Sequence, residues 1–415
     1  MDWFRALDGR QRKAFWACFG GWALDAMDVQ LYALLLPTIM AIWSLTKAEA
    51  GTLGTVALLA SSLGGAIAGN LADRIGRVRI LQLSILWFST FTFLSGLAQN
   101  YEQLLVARTL QGLGFGGEWA AGAVLMAELI SPKHRGQTIA AVSSGWSVGY
   151  AAAAILFALI FNFVEAETAW RVMFFLGILP ALLILFVRRH VPEPEMYAKA
   201  KRADADAPQP RFSEIFRGTL GARTLVAWLT CLGVLGGNYT VLTWLPAYLQ
   251  SERGLSYSNT GLFLLVNIVG SFVGYLVGGA ASDRFGRKNA LRLFALLGTL
   301  SVGSYLLFGG SSAAILLLGF PLGFAQSGMN AGIAPLLSEL YPTRLRATGQ
   351  GFTYNAGRGT GALFPMLVGI AAAHVSLTVA IAAGAACAYA LVVLASIALP
   401  ETRDRQLEEI GTGAL

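Results

Sequence analysis

The sequence predicts an all-α membrane protein: twelve transmembrane helices in two pseudo-symmetric six-helix bundles. Three observations carry this prediction, namely the composition, the placement of Lys and Arg, and an internal repeat. Of the 415 residues, 55% are hydrophobic and 13% are charged, whereas about one-quarter of the residues of a soluble domain are charged. The charges also avoid runs of about 20 residues, the length at which a helix crosses a bilayer.

The apolar segments fall into two groups of six with a polar stretch between them. The first group lies at 14–40, 50–72, 79–98, 101–128, 136–164 and 168–187. The second group lies at 222–250, 258–281, 289–309, 312–340, 346–374 and 376–399. We therefore expect an N-terminal bundle over 1–187, a linker over 188–221, and a C-terminal bundle over 222–415 that ends in a short tail.

The placement of Lys and Arg predicts the orientation. If the N-terminus lies inside, 25 of the 30 Lys and Arg residues fall on the inner side, and only Lys47 and Arg253 fall on the outer side. Cytoplasmic loops carry an excess of Lys and Arg, so both termini and the linker are expected in the cytoplasm and the chain in the inner membrane. The net charge of +7 then belongs to a basic cytoplasmic face and predicts no nucleic-acid partner.

The two halves repeat each other in sequence. Asp73 and Asp283 stand in similar loop sequences 210 positions apart, and Glu128 and Glu339 stand in a second pair of similar sequences 211 positions apart. Two unrelated motifs that repeat at nearly the same offset indicate an internal duplication. Transporters built from parallel repeats hold their substrate between the halves, near the middle of the membrane.

Ionisable residues lie deep inside the predicted helices. At about 1.5 Å per helical residue, Asp25, Glu118 and Arg358 lie roughly 16, 15 and 18 Å from the inner surface, within one layer of a core about 30 Å thick. Asp28 lies one turn beyond Asp25, and Tyr32 continues that face. Because a charge at this depth is costly to insert, each is a hypothesis for function. The alternative is that each acid, or Arg358, pairs with a neighbouring helix for structural reasons.

Neutral polar side chains accompany these charges. We expect the substrate site to include Tyr32, Asn238, Tyr239, Gln326, Asn330 and Asn355. The alternative for each of them is a hydrogen bond that packs one helix on another. Arg108 lies closer to the predicted outer side, and its alternative is a structural contact that holds the fourth helix to the first.

The motifs resemble those of the major facilitator superfamily. The pattern G-x-x-x-D-R-x-G-R occurs at 69–77 and 279–287, and R-x-x-Q-G-x-G occurs at 108–114. The chain is most similar to the sialate:proton and aromatic-acid:proton symporters, through D-A-M-D at 25–28, G-G-E-W at 116–119 and G-R-G at 357–359. Ala26 stands where these symporters usually have Gly.

The resemblance implies an inner gate. Asp73, at the end of the second helix, would meet the N-terminus of the eleventh helix, where the helix dipole favours an anion. The resemblance places in the gating machinery Asp73, Arg77, Arg108, Glu128 and Arg135, with Asp283, Arg287, Glu339 and Arg346 as the mirror set against helix 5. The alternative is that the basic residues only anchor the cytoplasmic face.

The buried charges predict transport of a small organic acid. The Arg358 guanidinium can hold a carboxylate with two parallel hydrogen bonds. Burial and mutual repulsion disfavour ionised acids, so Asp25, Asp28 and Glu118 are expected to take up protons and couple them to substrate uptake. Sodium coupling, a neutral solute such as a sugar, and drug or metabolite export remain alternatives.

The remaining chemistry predicts no enzyme, cofactor or metal. The sequence contains no phosphate-binding G-x-x-x-x-G-K-[ST] loop, and its three cysteines, Cys18, Cys231 and Cys387, are scattered through apolar segments. The expected partners are a small carboxylate, protons and the lipid bilayer, and we expect a monomer.

Overall fold

The computed structural model describes residues 9–75, 77–129, 141–179, 181, 212–307, 311–342 and 345–402. In the first half the helices are α1 (Gly9–Trp43), α2 (Lys47–Ile75), α3 (Arg77–Ser95), α4 (Tyr101–Leu129), α5 (Gly145–Phe163) and α6 (Ala166–Leu176). After a 3-10 turn at Phe212–Phe216, the second half contains α7 (Gly218–Ser251), α8 (Tyr257–Phe285), α9 (Arg287–Leu307), α10 (Ser312–Leu340), α11 (Arg346–Gly361), α12 (Leu363–Ala371) and α13 (Leu377–Ala398).

The predicted all-α membrane fold is confirmed. Within the described ranges, nine helices are long and apolar enough to cross a membrane by length and composition. The other predicted spans correspond to α4, which includes the buried Arg108, to α6, and to the pair α11 and α12. The seventh predicted segment begins at Gly218 rather than 222.

The eleventh segment, predicted as one helix over 346–374, is two helices. The first ends at Gly361 and the second begins at Leu363. Pro365 has no backbone N–H to donate to the carbonyl four residues earlier, and its ring clashes with that carbonyl in a continuous helix. The amide of Ala362 still makes the ordinary helical bond to the Arg358 carbonyl at 2.9 Å, so α11 is regular up to this residue. The break separates the polar α11 from the apolar α12.

The internal repeat extends from the sequence into helix packing. A Cβ at Gly64 of α2 would lie 2.0 Å from the Leu113 carbonyl oxygen on α4, and a Cβ at Gly274 of α8 would lie 2.3 Å from the Phe324 carbonyl oxygen on α10. The glycines are 210 positions apart and their partners 211, the offsets of the loop motifs. Such close backbone approach is typical of small residues between membrane helices.

The same repeat relates the contacts between the two halves. Across this interface α2 packs on α11 and α12, α5 packs on α8, and α1 packs on α7. A Cβ at Gly51 would lie 2.6 Å from the Pro365 carbonyl oxygen, and one at Gly261 would lie 3.3 Å from the Ala154 carbonyl oxygen. These pairs are again related by offsets of 210 and 211. The halves therefore meet along two equivalent seams, with α1 and α7 between them.

Candidate functional site

Two adjoining cavities lie between the halves. The first is lined by α1, α2, α4, α5 and α7. The second is lined by α5, α7, α8 and α10. Trp146 and Leu242 line both cavities, so the two spaces are neighbours. We call the first the charged cavity, because Arg108 lines it, and the second the neutral cavity, because its lining residues are uncharged.

One face of α4 forms the polar wall of the charged cavity. Arg108, Gln111 and Phe115 line it, and their spacing places them on one side of a helix. The Arg108 guanidinium lies 4.8 Å from the centroid of the Tyr32 ring, and only 3% of the residue is exposed. Its Nε and Nη1 have no hydrogen-bond partner among the described residues. Arg108 thus brings a buried positive charge and unused donors to this cavity.

Asp28 lies next to this wall and is fully buried. Gln111 Nε2 donates a hydrogen bond to Asp28 Oδ2, and Asp28 also interacts electrostatically with Arg108. The other carboxyl oxygen, Oδ1, has no hydrogen-bond partner in the described part of the chain. An acid and a base therefore share one buried site on α1 and α4, and each keeps atoms that can accept or donate a further bond.

Arg358, the predicted carboxylate anchor, lies behind the wall of the charged cavity. Its guanidinium carbon lies 4.4 Å from the centroid of the Phe115 ring, and it interacts electrostatically with Tyr239. Phe115 and Tyr239 line the charged cavity, whereas Arg358 lines neither cavity. Because Phe115 and Arg358 belong to different halves, their contact also joins α4 to α11.

The neutral cavity brings together three of the predicted amides. Gln326 Nε2 donates to the Tyr389 hydroxyl at 3.2 Å, and that hydroxyl donates to Asn238 Oδ1 at 3.3 Å. Asn330 donates to the Gln326 carbonyl at 3.4 Å. Asn238, Gln326 and Asn330 all line the cavity, so α7 and α10 present it with a hydrogen-bonded set of amides.

Two further predicted residues lie away from the cavities. Asn355 Nδ2 donates to the Gly351 carbonyl at 3.0 Å, and the Asn355 carbonyl accepts a 2.6 Å bond from Ser62 on α2. Asn355 lines neither cavity, which is the placement that the helix-packing alternative predicts. Asp25 is fully buried on α1, one turn before Asp28, and lines neither cavity.

Part of the predicted gate is assembled in the C-terminal half. Arg287 donates to Glu339 at 2.8 and 3.0 Å and to Asp283 at 2.5 Å. The chain after α13 completes this cluster: Glu401 accepts the Arg287 amide at 2.9 Å, and the Thr402 hydroxyl donates to Glu339 at 2.6 Å. We call these five residues the Arg287 cluster.

The other gating predictions fall outside what the structure describes. Arg135 lies outside the described residues. The helices that carry Asp73, Arg77, Glu118, Glu128 and Arg346 are described, but these five side chains are not. Their predicted roles in gating and, for Glu118, in proton coupling therefore stay predictions.

Several cavity residues were not among the predicted site residues. Gln111 belongs to the R-x-x-Q-G motif and lies one helical turn from Arg108, and this spacing is the signal that could have identified it. Phe115 is related by the 211 offset to Gln326, so the repeat could have identified it. The sequence gives no signal for Trp146 and Tyr150 of α5. For Ser147 of α5, the only signal is the 211 offset that relates it to Arg358.

Known proteins are similar to this chain in sequence or in fold. A family model described as Major Facilitator Superfamily matches residues 18–365 and 268–414. A probable 4-methylmuconolactone transporter of Cupriavidus pinatubonensis is 43% identical, over 99% of this chain and 95% of its own. A cis,cis-muconate transport protein of Acinetobacter baylyi is 31% identical over 88% of each chain. A solved bacterial homologue of the human lysosomal transporter Spinster superposes with a TM-score of 0.70 at 19% identity, covering 94% of this chain and 96% of that chain.

Proposed function

We propose that this chain, which belongs to the Major Facilitator Superfamily and is a multi-pass membrane transporter rather than an enzyme, carries a small organic acid by proton-coupled symport. The observation that carries the proposal is the buried group of Asp28, Gln111 and Arg108 at the charged cavity. With a neutral solute, Arg108 would have no anionic partner whenever Asp28 is protonated, and a buried cation without one is strongly destabilising. An acid substrate supplies that partner.

Proton coupling follows from competition for Arg108. When Asp28 is ionised, it neutralises the guanidinium and repels a second carboxylate. When Asp28 is protonated, Arg108 is free to bind the substrate carboxylate, and a guanidinium binds a carboxylate with paired, charge-assisted bonds. The proton therefore binds before the acid, and both cross together. We assign the carboxylate contact to Arg108, which lines the cavity, and give Arg358 the task of fixing Phe115 and Tyr239.

The relatives support the substrate class and the sequence supports the orientation. Proteins similar to this chain are named as transporters of 4-methylmuconolactone, of cis,cis-muconate and of benzoate. The excess of Lys and Arg in alternate loops places both termini in the cytoplasm. We propose uptake across the inner membrane by a monomer, with a gate formed by the Arg287 cluster and its counterpart in the first half.

Reconstitution into proteoliposomes tests the proposal. We expect an inwardly directed proton gradient to drive accumulation of 4-methylmuconolactone or benzoate by the wild type. Asp28→Asn keeps the size of the side chain and its bond to Gln111 but cannot ionise, so it should exchange substrate without gradient-driven accumulation. Glu102→Gln, an exposed acid on α4, is the matched control and should behave as wild type.

Two results would change the proposal. Wild-type accumulation by Asp28→Asn would remove Asp28 from the coupling step, and Asp25→Asn and Glu118→Gln would then identify the proton carrier in the same assay. Accumulation that follows a sodium gradient and ignores the pH gradient would replace proton coupling by sodium coupling.

A further inference from the structure

Two hydroxyl groups of the neutral cavity have no role in the proposed coupling. Ser147 and Tyr150 lie one turn apart on α5 and line this cavity. Each residue is 2% exposed, and neither hydroxyl has a hydrogen-bond partner among the residues that the structure describes. Buried polar groups are nearly always hydrogen-bonded, so an unpaired pair on one wall needs an explanation. A bound ligand is one.

The rest of this cavity determines what the ligand group can be. The amides of Asn238 and Gln326 are joined through Tyr389, whereas the buried hydroxyls of Ser147 and Tyr150 on α5 have no partner in the described part of the chain. The lining residues are aromatic, amide, hydroxyl and aliphatic, without Lys, Arg, Asp or Glu. Moving a charged group into such a space without a counter-charge is strongly unfavourable. The cavity therefore suits an uncharged oxygen.

We infer that the neutral cavity is a subsite for a neutral oxygen of the transported acid, a carbonyl or hydroxyl that accepts hydrogen bonds from Ser147 and Tyr150. The inference rests on the proposed function, in which the carboxylate of the same molecule binds at Arg108. Trp146 and Leu242 line both cavities and would contact the apolar body of the substrate between its two ends.

The substrate class is then narrower than organic acids in general. It is a monocarboxylate that carries a ketone, lactone or hydroxyl oxygen on the far side of a small ring. A dicarboxylate of the same skeleton would bring its second charge into the uncharged cavity. A plain acid would leave the two hydroxyls without a hydrogen-bond partner.

Matched acids test this subsite on the purified full-length chain. One set is 4-oxocyclohexanecarboxylate, cyclohexanecarboxylate and cyclohexane-1,4-dicarboxylate, and the second is 4-hydroxybenzoate, benzoate and benzene-1,4-dicarboxylate. Binding is measured by calorimetry and exchange by counterflow. In at least one set we expect the oxygen-bearing acid to bind about 5- to 10-fold more tightly than the plain acid, the ratio typical of a hydrogen bond to a neutral group. The diacid should bind at least about 30-fold more weakly than the oxygen-bearing acid.

Tyr150→Phe should bring the ratio between the oxygen-bearing and plain acids close to one, because the oxygen-bearing acid loses one of its hydrogen bonds. Ser147→Ala should reduce the ratio in the same direction and provides a second variant if the first is unstable. Tyr341→Phe is the control, because Tyr341 is also a buried tyrosine but lines neither cavity and bonds instead to Thr224 and Thr353. Its ratio should equal that of the wild type.

The outcomes separate this inference from the proposed function. If the wild type binds plain and oxygen-bearing acids equally, or prefers the diacid, the subsite is refuted while acid transport stands. An unchanged ratio in Tyr150→Phe and Ser147→Ala refutes it as well. If no acid of either set binds or exchanges, the proposed function itself fails.

Discussion

The two halves of the molecule share their packing contacts and differ in the side chains that face the cavities. Gly64 and Gly274 occupy equivalent positions against the next helix but one. At cavity positions related by the 211 offset, however, Phe115 corresponds to Gln326. Arg108 corresponds to Gly319. The duplicated scaffold therefore functions with or without charge at these positions.

This difference favours a functional role for the charges over a role in folding. The first half contributes Asp28 and Arg108, whose charges are buried at the cost of desolvation. The second half lines its cavity with amides, hydroxyls and aromatic rings, and its buried Arg358 lines neither cavity. If the charges were needed only to hold helices together, the equivalent helices of the second half would need them too. The predictions below test this division, beginning with the largest expected effect.

The largest effect should come from the two buried arginines. Arg108→Ala should weaken acid binding by about 100-fold or more, because it removes a charge-assisted contact in a buried site. Arg108→Lys keeps the charge but loses the paired geometry and should be intermediate. Arg358→Ala, which removes only the contact behind Phe115 and Tyr239, should weaken binding by about 10-fold or less. Calorimetry with the matched acids measures all three.

Two results would contradict this ranking. If Arg358→Ala loses binding while Arg108→Ala retains it, the carboxylate anchor is Arg358, as the sequence predicts. If Arg108 serves only to neutralise Asp28, the double variant Asp28→Asn, Arg108→Ala would bind acid with wild-type affinity. We expect that double variant to remain as defective as Arg108→Ala.

Equivalent substitutions in the shared helix packing should lower the stability equally in both halves. Gly64→Ala and Gly274→Ala each force a methyl group into a backbone carbonyl of the neighbouring helix, and such overpacking destabilises by about 1–3 kcal/mol. Gly303→Ala on α9, where a Cβ meets nothing within 4 Å, should be neutral or slightly stabilising. Thermal unfolding of the purified variants measures the effects. A large loss in one half alone would show that the packing equivalence has no energetic counterpart.

Variants in the Arg287 cluster should lower the stability less than the glycine variants do, and by unequal amounts. Glu339→Gln loses the paired bonds to a mostly buried Arg287, for a cost of about 1–2 kcal/mol. Asp283→Asn changes a partner whose side chain is 62% exposed, and exposed pairs contribute about 0–1 kcal/mol. The midpoint of thermal unfolding should therefore fall more for Glu339→Gln than for Asp283→Asn. Equal shifts would mean that burial does not govern the strength of this cluster.

Most of the fold was readable from the sequence, and the site only in part. Apolar runs and the repeat predicted the bundles, because helix length and membrane thickness are matched. The break at Ala362 was missed because hydrophobicity continues through Pro365. Depth along a helix predicted a mid-membrane position for Arg358, but it could not reveal that Phe115 and Tyr239, which contact Arg358, line the cavity while Arg358 does not. The rotation of each helix is set by its neighbours, which the sequence alone does not supply.

The smallest effect on acid binding should come from the hydrogen-bonded network beside the neutral cavity. The Tyr389 hydroxyl joins Gln326 to Asn238 through bonds of 3.2 and 3.3 Å, and it lines neither cavity. Tyr389→Phe should cost about 0.5–1.5 kcal/mol of stability, the usual net value of a neutral hydrogen bond. It should change acid binding by less than about 3-fold, because a loss below about 0.7 kcal/mol is expected when no direct ligand contact is removed.

Tyr389→Phe also tests whether coupling is confined to the first half. Since the neutral network has no group that exchanges a proton at physiological pH, gradient-driven uptake by this variant should equal that of the wild type. Tyr32→Phe is its counterpart in the first half: it loses the bond from the Tyr32 hydroxyl to the Ala50 carbonyl but keeps the ring beneath Arg108, and a phenyl ring still attracts a cation. Both variants should therefore accumulate substrate. If Tyr389→Phe exchanged substrate but no longer accumulated it, the amides of the second half would belong to the coupling pathway, and the division between a charged and a neutral half would be wrong.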